Sequence, residues 1–207
     1  MKKTIVGMIA LVIVLCALPA SVLAEGLIRV GIKGGANFAN LVGTDIDSNW
    51  KTKIGPAAGG FVSFQISRLL AIQTEVLYSQ KGSMWKGDPD LTLKANLTFV
   101  DIPLLVKFFL PVSAQSALRP NVFVGPYAAV NVSAKMKEET AEGGDETDIE
   151  DLKKTDLGLV VGGGIDFAVG KGKILLDVRY SFGFSSFSTI ENFKNKVFTV
   201  LAGYSFN

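Results

Sequence analysis

The sequence predicts an all-β chain: eight antiparallel strands closed up-and-down into a transmembrane β-barrel. Three observations lead there. Apolar and polar residues alternate in eight separate segments, which is the period of a strand with two unlike faces. The first 24 residues have the layout of an export signal. The connections between the alternating segments are by turns short and long.

The opening "MKKTIVGMIALVIVLCALPASVLAEG" begins with Lys2 and Lys3 and continues through an apolar run, 5–18, interrupted only by Gly7. Pro19 ends the run, and Val22 and Ala24 occupy the small-residue positions before a cleavage site after Ala24. The run is shorter than the roughly 20 residues of a spanning helix. Cys16 follows Leu15, where lipid attachment at the cysteine needs a small residue. The reading is therefore a cleaved signal peptide, 1–24, and one domain, 25–207. Cleavage takes basic residues from 21 to 19 against 19 acidic ones. The mature charge of zero argues against a nucleic-acid partner. The only cysteine leaves with the signal and the chain has no histidine. Zinc centres, thiolate catalysis and Ser-His-Asp catalysis are excluded on that ground. The expectation is a non-enzyme with no catalytic residue, no cofactor and no metal site.

The first strand, "LIRVGIKGGANF" (27–38), sends Ile28, Val30, Ile32, Ala36 and Phe38 to one face and Arg29, Lys33 and Asn37 to the other. The second, 55–66, puts Ala58, Val62, Phe64 and Ile66 outward. The third, 70–82, puts Ile72, Val76 and Tyr78 outward and Gln73, Glu75, Ser79 and Lys81 inward. The fourth, 96–108, contains "FVDIPLLVKFF", where Val100, Ile102, Leu104, Val106 and Phe108 share one face and Asp101, Pro103 and Lys107 the other. Pro103 cannot donate to a ladder, so a bulge is expected there. The fifth, 121–134, sends Val122, Val124, Val130 and Val132 outward and Tyr127, Asn131 and Ser133 inward. The sixth, 156–168, sends out Leu157, Leu159, Val161, Ile165 and Phe167, opposite Asp156 and Asp166. The seventh, 173–184, sends out Ile174, Leu176, Val178, Tyr180, Phe182 and Phe184, opposite Asp177 and Arg179. The eighth, 196–206, sends out Phe198, Val200, Ala202, Tyr204 and Phe206. Each segment is long enough to cross a bilayer at a tilt. Clustered glycines, as in "GGG" at 162–164, are read as relief of crowding at bends of a small barrel.

The connections "SRL" and "VGKGK" are short, "FLPVSAQSALRPN" is intermediate, and the others are long and polar. Short turns at one end and long loops at the other is the arrangement of barrels in the outer membrane, with the short turns periplasmic. Aromatic residues near strand ends fit interfacial girdles: Phe64, Phe108, Phe167, Tyr204 and Phe206 at the periplasmic rim, and Phe38, Tyr78, Phe182 and Phe184 at the outer rim. Periodicity does not say which face is inside. A soluble periplasmic ligand-binding barrel of the lipocalin kind would have the same alternation turned inside out. Opposite charges and many glycines on the polar face, together with the closing strand "VFTVLAGYSFN", favour lipid outside.

The stretches "GIKGGANFANL", "TEVLYSQKG", "FVDIPLLVKFF", "GPYAAVNVSAK", "TDLGLVVGGGIDF", "VRYSFGF" and "AGYSF" resemble the outer-membrane β-barrel domain family, which includes porin family proteins and PorT-type small barrels. The resemblance spans nearly the whole mature chain. Its most specific pieces are the Ile-Pro-Leu-Leu strand and the Tyr-Ser-x-Lys-Gly strand end. It implies an eight-stranded antiparallel barrel in a Gram-negative cell outer membrane, and it implies no substrate.

Three sets of residues stand out as candidate sites. The first lies in the lumen, where Lys33, Glu75, Asp101, Asp177 and Arg179 fall at similar heights on their strands when shear is ignored. An eight-stranded barrel is just wide enough for its own side chains to fill, and buried charges must pair. These five are expected to form a network that closes the barrel, with Tyr127 and Phe61 adding bulk. Arg29, Lys107 and Asp166 form a second layer near the periplasmic end. The alternative is that tilt and shear separate these groups and leave each one to water. The second set is the acidic loop 136–154, with Glu138, Glu139, Glu142, Asp145, Glu146, Asp148, Glu150 and Asp151 against three lysines. It is either a solvated loop or a contact surface for a cationic partner or for divalent ions bridging lipopolysaccharide. The third is the terminal strand, whose Phe198, Tyr204 and Phe206 are the candidate signal to the barrel-assembly machinery, although Asn207 follows the last aromatic. The sequence "TDIDSNW" spaces Asp45, Asp47 and Asn49 like calcium-loop oxygens, but Trp50 and Pro56 stand where that loop needs Gly and Glu, so it is read as solvated. The expected partners are outer-membrane lipid and lipopolysaccharide, the assembly machinery and an extracellular partner. The expected role is structural or interactive through long loops, with a narrow channel for small solutes as the alternative.

Overall fold

The computed structural model describes residues 27–42, 50–88, 91–113, 116–140, 143–148, 155–184 and 194–206. The signal segment and the Asp45–Asn49 stretch lie outside them. Nine strands are present among the described residues: β1 (Ile28–Val42), β2 (Trp50–Gln65), β3 (Leu70–Asp88), β4 (Leu91–Phe109), β5 (Leu118–Thr140), β6 (Gly143–Asp148), β7 (Thr155–Val169), β8 (Gly172–Gly183) and β9 (Lys194–Phe206). They pair in the order β4-β3-β2-β1-β9-β8-β7-β5, and a β4–β5 pairing closes the ring. The barrel thus has eight strands, all antiparallel, and β6 adds to β5 outside the ring. Among the described residues no helix is long and apolar enough to cross a membrane.

Burial settles which face is inside. Residues of the apolar parity such as Leu104, Val122, Leu157, Leu176 and Val178 are exposed on the outer surface. Lys33, Glu75, Lys107, Asp177 and Arg179, of the opposite parity, are buried within it. A belt of apolar side chains around an ionised interior is stable only with lipid outside. The soluble barrel, which needs the reverse, is set aside. Ile28 and Val62 were expected outward and are nevertheless buried; Phe64 is the cross-strand partner of Ile28 and shares a face with Val62. The periplasmic-girdle residues Phe64, Phe108, Phe167, Tyr204 and Phe206 are all exposed, as are Tyr78, Phe182 and Phe184 at the other end.

No bulge forms at Pro103. Thr74↔Leu104 and Leu77↔Asp101 keep one register, while the residues between them make no ladder pair. The missing N–H opens the ladder locally instead of shifting it. The Thr74 hydroxyl donates to the Pro103 carbonyl at 3.3 Å. The register shifts of β2–β3, β3–β4 and β4–β5 fall elsewhere, at Thr52/Ala57, Lys86/Asp88 and Thr98/Phe99.

Among the described residues only Gly82 and Gly170 have positive φ. Several others face the lumen and leave room for large neighbours. A Cβ on Gly162 would lie 2.6 Å from the Phe123 ring, and one on Gly203 would lie 2.8 Å from Cγ of Lys33. One on Gly164 would collide with the Asp177 carboxylate. At Gly162 and Gly203 a Cβ would also lie 2.5 Å from the backbone oxygens of Val178 and Ile32, so crowding by side chains and by the neighbouring strands together selects glycine there.

Candidate functional site

The lumen carries three layers of charge. In the central layer Lys33 donates to Glu75 Oε1 at 2.8 Å and to Oδ2 of Asp177. Arg179 donates through Nη1 to Glu75 Oε2 at 2.7 Å and through Nη2 to Oε1 at 3.3 Å. It also stands 3.5 Å from Asp177 Oδ2. Gln73 adds a hydrogen bond to Glu75 Oε1 at 2.6 Å. All four charged residues are at most 4% exposed, so the two cations and two carboxylates neutralise one another out of water. Strand register makes the space: Lys33 lies between Gly59 and Gly203, Asp177 beside Gly164, and Arg179 beside Gly162. Phe61 packs under the Lys33 ammonium, 4.9 Å from ring centroid to Nζ.

Asp101 does not join this layer. It pairs with Lys81 at 2.8 Å. The reason is stagger: Asp101 lies opposite Leu77, two residues above Glu75 on β3, about 6–7 Å along a strand. Lys81, known from its parity to face inward, supplies the counter-charge and lies over the Phe99 and Tyr127 rings at 4.9 and 5.4 Å. Tyr127 donates to Asp156 Oδ2 at 2.9 Å, which completes an upper layer. Below it, Asn37 donates to Ser79 at 2.8 Å and accepts from Thr199 at 2.9 Å. A cavity with about 20 Å³ of room, the space of roughly one water, is lined there by Asn37, Ser79, Asp101, Tyr127, Arg179 and Thr199.

The basal layer brings Lys107 within 3.6 Å of Asp166, which also accepts from Asn121 at 3.0 Å. The Lys107 ammonium sits 5.8 Å from the centroids of both Phe109 and Phe123. Arg29 stands on the same inner face of β1, two residues from Gly31, whose β9 partner Ser205 also pairs with Lys173. Arg119 and Lys173 belong to this layer and were missed. Lys173 lies two residues from Leu175, the cross-strand partner of Asp166. Arg119 was read as part of a connection and Lys173 as a strand end. Carrying the odd parity of Asn121 and Asp177 two and four residues outward would have found both.

The acidic segment is not simply a loop. Glu138 and Glu139 continue β5, and Asp145, Glu146 and Asp148 lie in β6; Glu142, Glu150 and Asp151 fall outside the described residues. The β4–β5 ladder runs on through Thr92↔Glu139, and β6 places Asp148 opposite Lys135 and Glu146 opposite Lys137. Phe198, Tyr204 and Phe206 are all exposed on the outer surface, and the Tyr204 and Phe206 rings meet edge-on at 5.2 Å. Among the described residues no acidic group has the arrangement of a metal site.

A closed eight-stranded ring with an apolar belt outside and paired ions inside defines an integral outer-membrane β-barrel. The chain belongs to the family described as outer membrane protein beta-barrel domain, whose model matches residues 20–189. Among solved structures it is similar to the outer membrane protein OprG from Pseudomonas aeruginosa, at 14% identity over 86% of this chain and 96% of that one, with a TM-score of 0.51. Neisserial surface protein A is 15% identical over 86% and 96%, with a TM-score of 0.48. Ail, the attachment invasion locus protein of Yersinia pestis, is 12% identical over 86% and 98%, with a TM-score of 0.45. At these identities the likeness is one of fold alone. No curated protein matches the chain.

Proposed function

We propose that this protein is a closed barrel with a structural or surface-interaction role, and that its contacts are made by the segments beyond the membrane at the long-loop end. The observation that carries the reading is the central layer, where Lys33, Arg179, Glu75 and Asp177 cross the lumen with almost no exposure. A solute passing it would have to separate ions whose desolvation costs several kcal/mol each. The chain has no histidine and its one cysteine is Cys16, so the reading assigns no catalysis. In planar bilayers the wild-type protein is expected to give no steady conductance, and Arg179→Ala is expected to open channels. Steady wild-type channels would replace this reading with the second one, a narrow pore for small solutes, which the polar cavity above the central layer favours.

The partners follow from the same surfaces. The apolar belt meets outer-membrane lipid and lipopolysaccharide, and the barrel-assembly machinery reads the terminal strand. The acidic hairpin meets a cationic extracellular partner or divalent ions. Deleting 138–151 is expected to leave the barrel folded and to abolish salt-sensitive binding at the cell surface.

A further inference from the structure

Among the described residues the basal layer has four cations, Arg29, Lys107, Arg119 and Lys173, and one carboxylate, Asp166: Arg119 lies opposite Asp166 on the neighbouring strand, and Lys173 and Gly31, two residues from Arg29, both pair with Ser205 of β9. Their other contacts leave most of that charge unanswered. Lys107 and Asp166 pair at 3.6 Å, beyond a hydrogen bond. Arg119 stacks on Phe109 at 4.3 Å and spends Nη2 on the carbonyl of Arg68 at 2.6 Å. The Nε of Arg29 is buried without a hydrogen-bond partner. Lys173 has no ion-pair partner among the described residues. Arg29, Arg119 and Lys173 are only half-buried, so the site is reachable from the short-turn mouth, whereas the paired central layer seals it from above.

We propose that this mouth binds one small oxyanion of the phosphate class, held by Arg29 and Lys173 with Lys107 and Arg119 around it. Three features match that chemistry. Charge of one sign is concentrated at a low-dielectric wall, which raises the local concentration of counter-ions. A guanidinium with an orphan N–H presents a fork fitted to a tetrahedral oxyanion. The lone carboxylate, which accepts from Asn121, leaves the cluster cationic. Free periplasmic phosphate and a phospholipid headgroup offer the same chemistry. The position inside the strand ring favours the free anion.

The test uses the refolded full barrel in zwitterionic detergent, titrated calorimetrically with inorganic phosphate against chloride at matched ionic strength. One saturable site is expected, with a higher unfolding temperature in phosphate than in chloride. Arg29→Gln and Lys173→Gln are each expected to weaken phosphate binding about tenfold, while Lys196→Gln, at the opposite end, leaves it unchanged. In chloride both variants are expected to unfold at or above the wild-type temperature, because they remove repulsion; a merely structural role would lower it. Repeating the titration in nanodiscs with and without phosphatidylglycerol separates the sources, since a headgroup occupant would suppress the phosphate heat. Equal behaviour in phosphate and chloride, or a phosphate response that survives both substitutions, would overturn the proposal.

Discussion

The central and basal layers of the lumen share strands β1 and β8 and draw on lysine, arginine and aspartate alike, and they treat charge in opposite ways. In the centre Lys33 and Arg179 face Glu75 and Asp177, and every one of them is paired. At the base Arg29, Lys107, Arg119 and Lys173 outnumber Asp166, the one carboxylate of that layer among the described residues. The difference is access to water. The central groups are at most 4% exposed, where an unpaired ion is untenable. Arg29 and Lys173 are half-buried at a mouth, where solvent and a mobile anion share the cost. The surplus of the basal layer lies with the half-buried Arg29, Arg119 and Lys173, while the buried Lys107 has Asp166 beside it.

The largest test of that contrast is Glu75→Ala. It leaves Lys33 and Arg179 with only Asp177, and Gln73 loses its acceptor. A loss of about 3–5 kcal/mol is expected, read by urea unfolding in micelles or by loss of the heat-modifiable gel shift. Next comes Gly203→Leu, which forces a side chain against Lys33 and is expected to cost about 1–3 kcal/mol; a shift in the unfolding midpoint with unchanged slope would measure it. The smallest effect is expected from Lys107→Met. It removes a cation as buried as Glu75, yet Asp166 keeps Asn121 and stays in the field of Arg29 and Lys173. A loss below about 1 kcal/mol is expected because the replacement is apolar and similar in volume. If Lys107→Met were as damaging as Glu75→Ala, depth rather than charge surplus would govern both layers and the contrast would collapse.

The sequence by itself determined which face each residue takes. Parity is local: once a segment is a strand, alternate side chains must point to opposite sides, and the opposite charges of the polar face together with the closing strand favoured lipid against the apolar set. That was enough to place Lys33, Glu75, Asp177, Arg179 and Tyr127 inside and Phe198, Tyr204 and Phe206 outside. Only the tertiary structure decided which charges meet. Stagger between neighbouring strands is a property of the closed ring, invisible along any one segment, and it lifted Asp101 from the central layer to Lys81 and drew Arg119 and Lys173 into the base. The same non-local logic let Pro103 stand in an unshifted ladder and turned the acidic stretch into strand, because pairing with β4 carries β5 past the point where its own alternation fades. A strand's period is written in its residues, but its height against its neighbours is set by the ring that all eight strands close together.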